Sequence, residues 1–152
     1  MLAIGQQAPA FDGLDHHGIR RRLTDFKGQR IILYFYPKDM TSGCTQEACD
    51  FRDDMRRFEE RGVAIVGVSP DSVERHARFA VKEGLNFPLL ADTDHAIAEA
   101  YGVWKEKSLY GRKHMGIERT TFLIDGAGRI SHIWPKVRVA GHVKEVASAI
   151  AD

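Results

Sequence analysis

Two stretches of the chain are apolar at nearly every position, Ile31 to Tyr36 and Val63 to Ser69. Both are rich in β-branched and aromatic residues, and a short run without polar alternation predicts a strand buried on both faces of a sheet. A helical pattern follows each. After the second run, Ser69-Pro70-Asp71-Ser72 offers capping residues, and Val73, Ala77, Ala80 and Val81 recur at helical spacing up to Gly84, which predicts a helix closed by that glycine. Nearer the C-terminus, Thr120 to Ile124 and Arg129 to Trp134 flank Asp125-Gly126-Ala127-Gly128, a hairpin-turn sequence, and a last helix is expected from about Gly141 to Ile150. Phe11 to Leu23, with turn residues at Asp12-Gly13 and His17-Gly18, predicts an added N-terminal β-hairpin. The order βαβα then ββα predicts an α/β fold in which helices flank a central mixed β-sheet.

At 152 residues, with no internal repeat, low-complexity tract or linker, one domain over residues 1–152 is expected. Lys and Arg number 22 against 21 Asp and Glu, so no global field exists to draw in nucleic acid or an anionic membrane. The short clusters Arg20-Arg21-Arg22 and Arg56-Arg57 read as solvated faces, the second balanced by Asp53, Asp54, Glu59 and Glu60. The apolar runs fall far below the roughly 20 residues a membrane span needs. Met1 to Ala10 shows no secretory pattern, which makes a cytoplasmic location the expectation. Gly126-x-Gly128 lacks a following helix and is read as a turn, and no cofactor is implied.

In a reducing compartment a structural disulfide would not persist, so the two cysteines, Cys44 and Cys49, are buried spectators, metal ligands or redox-active groups. Cys44 follows the loop Pro37 to Gly43 between the first strand and its helix, at the strand's carboxyl end, where active sites of open α/β sheets form. A helix N-terminus presents unpaired NH groups and partial positive charge, both of which favour a thiolate. From Cys44, the residues Ala48, Phe51, Met55 and Phe58 follow at offsets of 4, 7, 11 and 14, a helical core stripe. Cys49 lies about 140° away on the same wheel, with its Cα roughly 8.7 Å from that of Cys44 and beyond the approximate 7 Å disulfide limit. Any bond between the two therefore requires the first turns to unwind. Zinc is disfavoured, because neither a CxxC nor an HxxxH cluster accompanies the thiols and the seven histidines are dispersed.

The run Pro37-x-x-x-Thr41-x-x-Cys44 resembles the peroxiredoxin signature. Tyr34 through Arg52, with Gly43-Cys44-Thr45-Gln46-Glu47-Ala48-Cys49, is similar to the bacterioferritin comigratory protein or peroxiredoxin Q branch. The likeness continues in Gly5-x-x-Ala8-Pro9-x-Phe11, Asn86 to Asp92, Tyr101-Gly102-Val103-Trp104 and Met115 to Asp125; one departure is Ser42, where many relatives carry proline. The resemblance implies a thioredoxin-like fold and a peroxidase in which Cys44 is the peroxidatic cysteine and becomes a sulfenic acid. By the same resemblance Thr41 holds thiolate and peroxide together, Pro37 shapes and shields the loop, and Arg119 supplies the active-site charge. Cys49 would be the resolving cysteine, forming an intramolecular disulfide. Hydrogen peroxide and alkyl hydroperoxides would be the substrates, thioredoxin or glutaredoxin the reductant, and the chain a monomer.

Two rival readings stand beside this one. A thioredoxin-like disulfide oxidoreductase is opposed by the four residues between the cysteines and by Thr120, which stands where thioredoxins place a cis-proline. A non-enzymatic binding module would leave both thiols inert.

Overall fold

The computed structural model describes residues 2–151, so Met1 and Asp152, the outer bounds of the expected domain, lie outside the described residues. A seven-stranded mixed sheet organises the molecule. In chain order its strands are β1 (Asp12–Asp15), β2 (Arg20–Arg22), β3 (Arg30–Phe35), β4 (Val63–Ser69), β5 (Leu89–Ala91), β8 (Thr120–Ile124) and β9 (Ile130–Trp134), arranged in space as β2-β1-β5-β4-β3-β8-β9. β3, β4 and β5 run parallel, with Arg30 opposite Val63 and Gly67 opposite Leu89, whereas the pairs at both flanks are antiparallel. The expected N-terminal hairpin is β1 with β2, which extends one edge of this sheet through the pairing of Leu14 with Ala91.

Among the described residues five α-helices complete the fold: α1 (Ser42–Asp53), α2 (Met55–Glu60), α3 (Val73–Glu83), α4 (Ala96–Ala100) and α5 (His142–Ile150). Alternation along β3 and the residue after it sends Ile32, Tyr34 and Tyr36 into one core with Cys44, Ala48, Phe51, Met55, Phe58 and residues of α3 and α5. Ile31, Leu33 and Phe35 enter a second core with Phe11, Tyr101, Phe122 and α4. The central strands are thus covered on both sides, the reason their sequences are uniformly apolar. No helix among the described residues is long and apolar enough to cross a membrane.

Several expectations meet their element closely. Ser72 caps α3 by accepting from the Arg75 amide, and Gly84 ends it in the left-handed region at φ 60°. Other parts differ. The long stripe from Cys44 to Phe58 is two helices, broken at Asp54, although the break leaves every stripe residue in the same core. Val81, placed on the apolar face of α3, is 84% exposed; the buried face is His76, Phe79 and Ala80. The strands β6 (Trp104–Leu109) and β7 (Arg112–Ile117) form a separate two-stranded ribbon that the apolar pattern did not predict, because it buries little on either face. Its local signal is the turn: Leu109 pairs with Arg112, and Tyr110 and Gly111 both have positive φ, as a two-residue hairpin turn requires. β5 and α4, three and five residues long, also escaped the periodicity reading.

Candidate active site

The loop between β3 and α1 carries Pro37 and Thr41 and delivers Cys44 to the first turn of the helix, where the residue is 2% exposed. Arg119, between β7 and β8, reaches across so that one guanidinium nitrogen donates to Cys44 Sγ at 3.1 Å. Another donates to Glu47 Oε1 at 2.5 Å. One permanently charged fork therefore holds both the thiol sulfur and a carboxyl group, a task for which a single ammonium is poorly shaped. Cys44 also lies in the first turn of α1, where backbone NH groups carry partial positive charge. The sulfur thus sits beside a guanidinium at the start of a helix.

Glu47, absent from the sequence-level site, is fully buried one helical turn after Cys44. Burial pushes its carboxyl up to about 7, against the opposing pull of the Arg119 charge and hydrogen bond. Its second oxygen and the hydroxyl of Tyr34 are buried without hydrogen-bond partners among the described residues. The one available signal was spacing: an acidic residue three positions after the cysteine lies on the same helical face, inside an otherwise apolar stripe. His142, at the start of α5, is another buried neighbour, bonded through Nε2 to the Thr121 hydroxyl at 2.8 Å. Burial first and the Arg119 charge second lower its pKa to about 4, so it is neutral near pH 7.

The two other loop residues are placed differently from each other. Pro37 is half-buried at the carboxyl end of β3. Thr41 is exposed and occupies the cap position of α1, and its hydroxyl donates to the Lys38 carbonyl at 2.9 Å rather than to the sulfur. Cys49 is half-buried and turned toward α3, where its thiol donates to Glu83 Oε1 at 3.6 Å. Burial raises the Cys49 pKa, with Glu83 adding to the rise and Arg52 opposing it. Both cysteines are free and face different partners, as the helical wheel requires of residues five apart.

A second buried polar cluster lies behind the loop. Asp39, Asp71 and His76 bring one ligand atom each within 4.8 Å of one another, the group among the described residues best suited to a cation. Its geometry argues for hydrogen bonds instead. His76 Nδ1 and Asp39 Oδ2 are 2.6 Å apart, which leaves no room for an ion between them, and Arg75 Nε already pairs with Asp71 at 2.9 Å.

The sequence profile of the AhpC/TSA family matches residues 4–133, and the chain belongs to that family and is a thiol peroxidase. Its relatives there are proteins of the Bcp or peroxiredoxin Q kind. Peroxiredoxin Bcp of Bacillus subtilis is 52% identical over 151 residues, covering 99% of this chain and 96% of its own. A structure of Xanthomonas campestris bacterioferritin comigratory protein, from work on its alkyl peroxide reduction activity, superposes with TM-score 0.89 at 41% identity, covering 92% of this chain and 89% of that one. A cysteine-to-serine variant of Xylella fastidiosa PrxQ superposes with TM-score 0.94 at 36% identity, covering 99% and 96%. The thioredoxin-like fold expected from the sequence is the fold of these neighbours.

Proposed function

We propose that residues 1–152 act as one domain and one monomeric peroxidase, in which Cys44 is peroxidatic and Cys49 resolving. The observation that carries this reading is the 3.1 Å hydrogen bond from Arg119 to Cys44 Sγ at the start of α1, with a free second thiol five residues on. The Cys44 thiolate attacks the terminal oxygen of a hydroperoxide; the O–O bond breaks, an S–O bond forms, and the leaving oxygen takes a proton to depart as water or an alcohol. Arg119 stabilises the charge that moves from sulfur to the leaving oxygen. The Pro37 ring, without an NH, shapes the loop and limits water at the sulfur. Thr41 presents its hydroxyl at the same mouth once its bond to Lys38 is exchanged for one to peroxide.

The sulfenic acid at Cys44 is then attacked by the Cys49 sulfur, forming the S–S bond and releasing water. Because the wheel separates the two residues, this step requires the first turns of α1 to open. Thioredoxin, or glutaredoxin, returns both thiols by exchange. Hydrogen peroxide and alkyl hydroperoxides are the substrates, in keeping with the alkyl peroxide activity of the Xanthomonas protein. A cytoplasmic setting, where thiols are kept reduced, suits this cycle. Stoichiometric hydrogen peroxide should remove two titratable thiols rapidly, Cys44→Ser should abolish turnover, and Cys49→Ser should leave a trappable sulfenic acid at Cys44. Retention of both thiols would discard the assignment. An NADPH-coupled assay with thioredoxin and with glutaredoxin identifies the reductant.

A further inference from the structure

We propose that His76 and Asp39 are positioning residues for the peroxidatic cysteine: a buried clamp fixes the loop just before α1, so that opening of the helix start is confined to residues 40–49. The proposal rests on the roles given above to Cys44 and Cys49.

Asp39 is held through every polar group it has. Tyr36 donates its hydroxyl to Oδ1 at 2.5 Å, and His76 Nδ1 meets Oδ2 at 2.6 Å. The Asp39 amide donates to Asp71 Oδ2 at 2.8 Å, and its carbonyl accepts from Arg75 at 3.1 Å. Asp71 is itself fixed by the Ser69 hydroxyl at 2.6 Å. His76 Nε2 lies 2.9 Å from the Leu90 carbonyl, which can only accept, so that nitrogen carries a proton and the ring orientation is set. Asp39 and His76 are both fully buried. A loop residue is thereby locked to Tyr36 just past β3, to α3 and, through His76, to β5, and a residue whose own polar groups are all engaged is held rigidly.

The restraint stops abruptly. Met40 follows with φ 66°, a left-handed conformation uncommon outside glycine, and is 37% exposed. Thr41 then caps α1 without a side-chain hydrogen bond to the helix. Among the described residues, the side-chain hydrogen bonds that tie 40–49 to other elements run through Cys44, Glu47 and Cys49, the reacting thiols and their neighbour. Beyond that segment α1 is anchored again, since Arg52 donates to the Glu83 carbonyl and Asn86 donates to the Arg52 carbonyl at 3.4 Å. The piece that must unwind lies between two posts, and the Asp39 post also sets where Cys44 meets Arg119.

Two substitutions separate the parts of the clamp. His76→Asn keeps a hydrogen-bonding amide at the position of Nδ1, toward Asp39, whereas His76→Gln keeps a donor toward the Leu90 carbonyl alone. Single-turnover oxidation of Cys44 by hydrogen peroxide should slow by about tenfold or more in the Gln variant and stay within about threefold of the parent in the Asn variant, a sensitivity expected when reacting groups lose alignment. Equal rates in both variants, whether parental or equally reduced, would overturn the proposal. Amide exchange on the unmodified chain provides a measurement that needs no variant. In the disulfide form the Asp39 amide should stay protected while those of residues 45–49 lose protection; loss at Asp39 also overturns it. If instead the unmodified chain does not oxidise at Cys44, it is the proposed function that fails.

Discussion

Replacing Glu47 by Gln removes a charge from the most enclosed polar position in the site and nearly preserves its shape. In the folded chain burial raises the carboxyl from its ordinary 4.5 to about 7. The folded state therefore holds the proton more tightly than the unfolded state, so the stability this group contributes is complete below pH 4.5 and is lost as pH rises through about 7. At about 1.4 kcal/mol for each unit of difference, the loss reaches about 3 kcal/mol above pH 8. The Gln variant has no such proton to lose. Urea unfolding of both reduced chains at intervals between pH 4.5 and 8.5 isolates the effect, because contributions from other groups cancel in the difference between them. The variant's stability relative to the parent should rise by about 3 kcal/mol across that interval. The offset at pH 4.5 reports amide packing and does not matter; its growth with pH does. A difference that stays flat, or one that shrinks as pH rises, would show that Glu47 ionises freely in the fold and that its burial beside Arg119 has been misjudged.

Other consequences are as definite. Arg119→Lys leaves one point charge where a fork now reaches both Cys44 and Glu47, and the rate of Cys44 oxidation, followed by stopped flow, should fall by about 10²- to 10³-fold. His142, lowered to about 4 chiefly by burial, contributes stability present above about 6.5 and lost as pH falls through about 4; an NMR titration of its ring with a midpoint near 6.5 would contradict the described packing. Gly67→Ala places a methyl 2.9 Å from both the Tyr34 ring and a Leu89 methyl, so thermal unfolding should reveal a loss of about 1–3 kcal/mol, and an unchanged midpoint would mean that this layer can shift.

Much of this architecture was legible in local order alone. β3 and β4 announce themselves by uninterrupted β-branched and aromatic runs, and α3 by a capping serine and a left-handed glycine, because the forces that shape them act within one element. The placement of Cys44 at a strand-to-helix junction was readable for the same reason, and so was the divergence of Cys49. The ribbon of β6 and β7 was not, since strands that bury little leave no apolar alternation to detect. Nor did spacing reveal that Val81 faces water while His76 faces the core. A polar side chain can be buried only where a partner receives it, and those partners are distant in the chain: Arg119 lies 72 residues beyond Glu47, and His76 lies 37 beyond Asp39. The sequence by itself determined which segments would fold as strands or helices and which sulfur would stand at a helix start. Only the packing of β3, α1, α3 and β8 around one another decided which charges would be enclosed there, because desolvation and hydrogen-bond satisfaction are properties of the assembled interior.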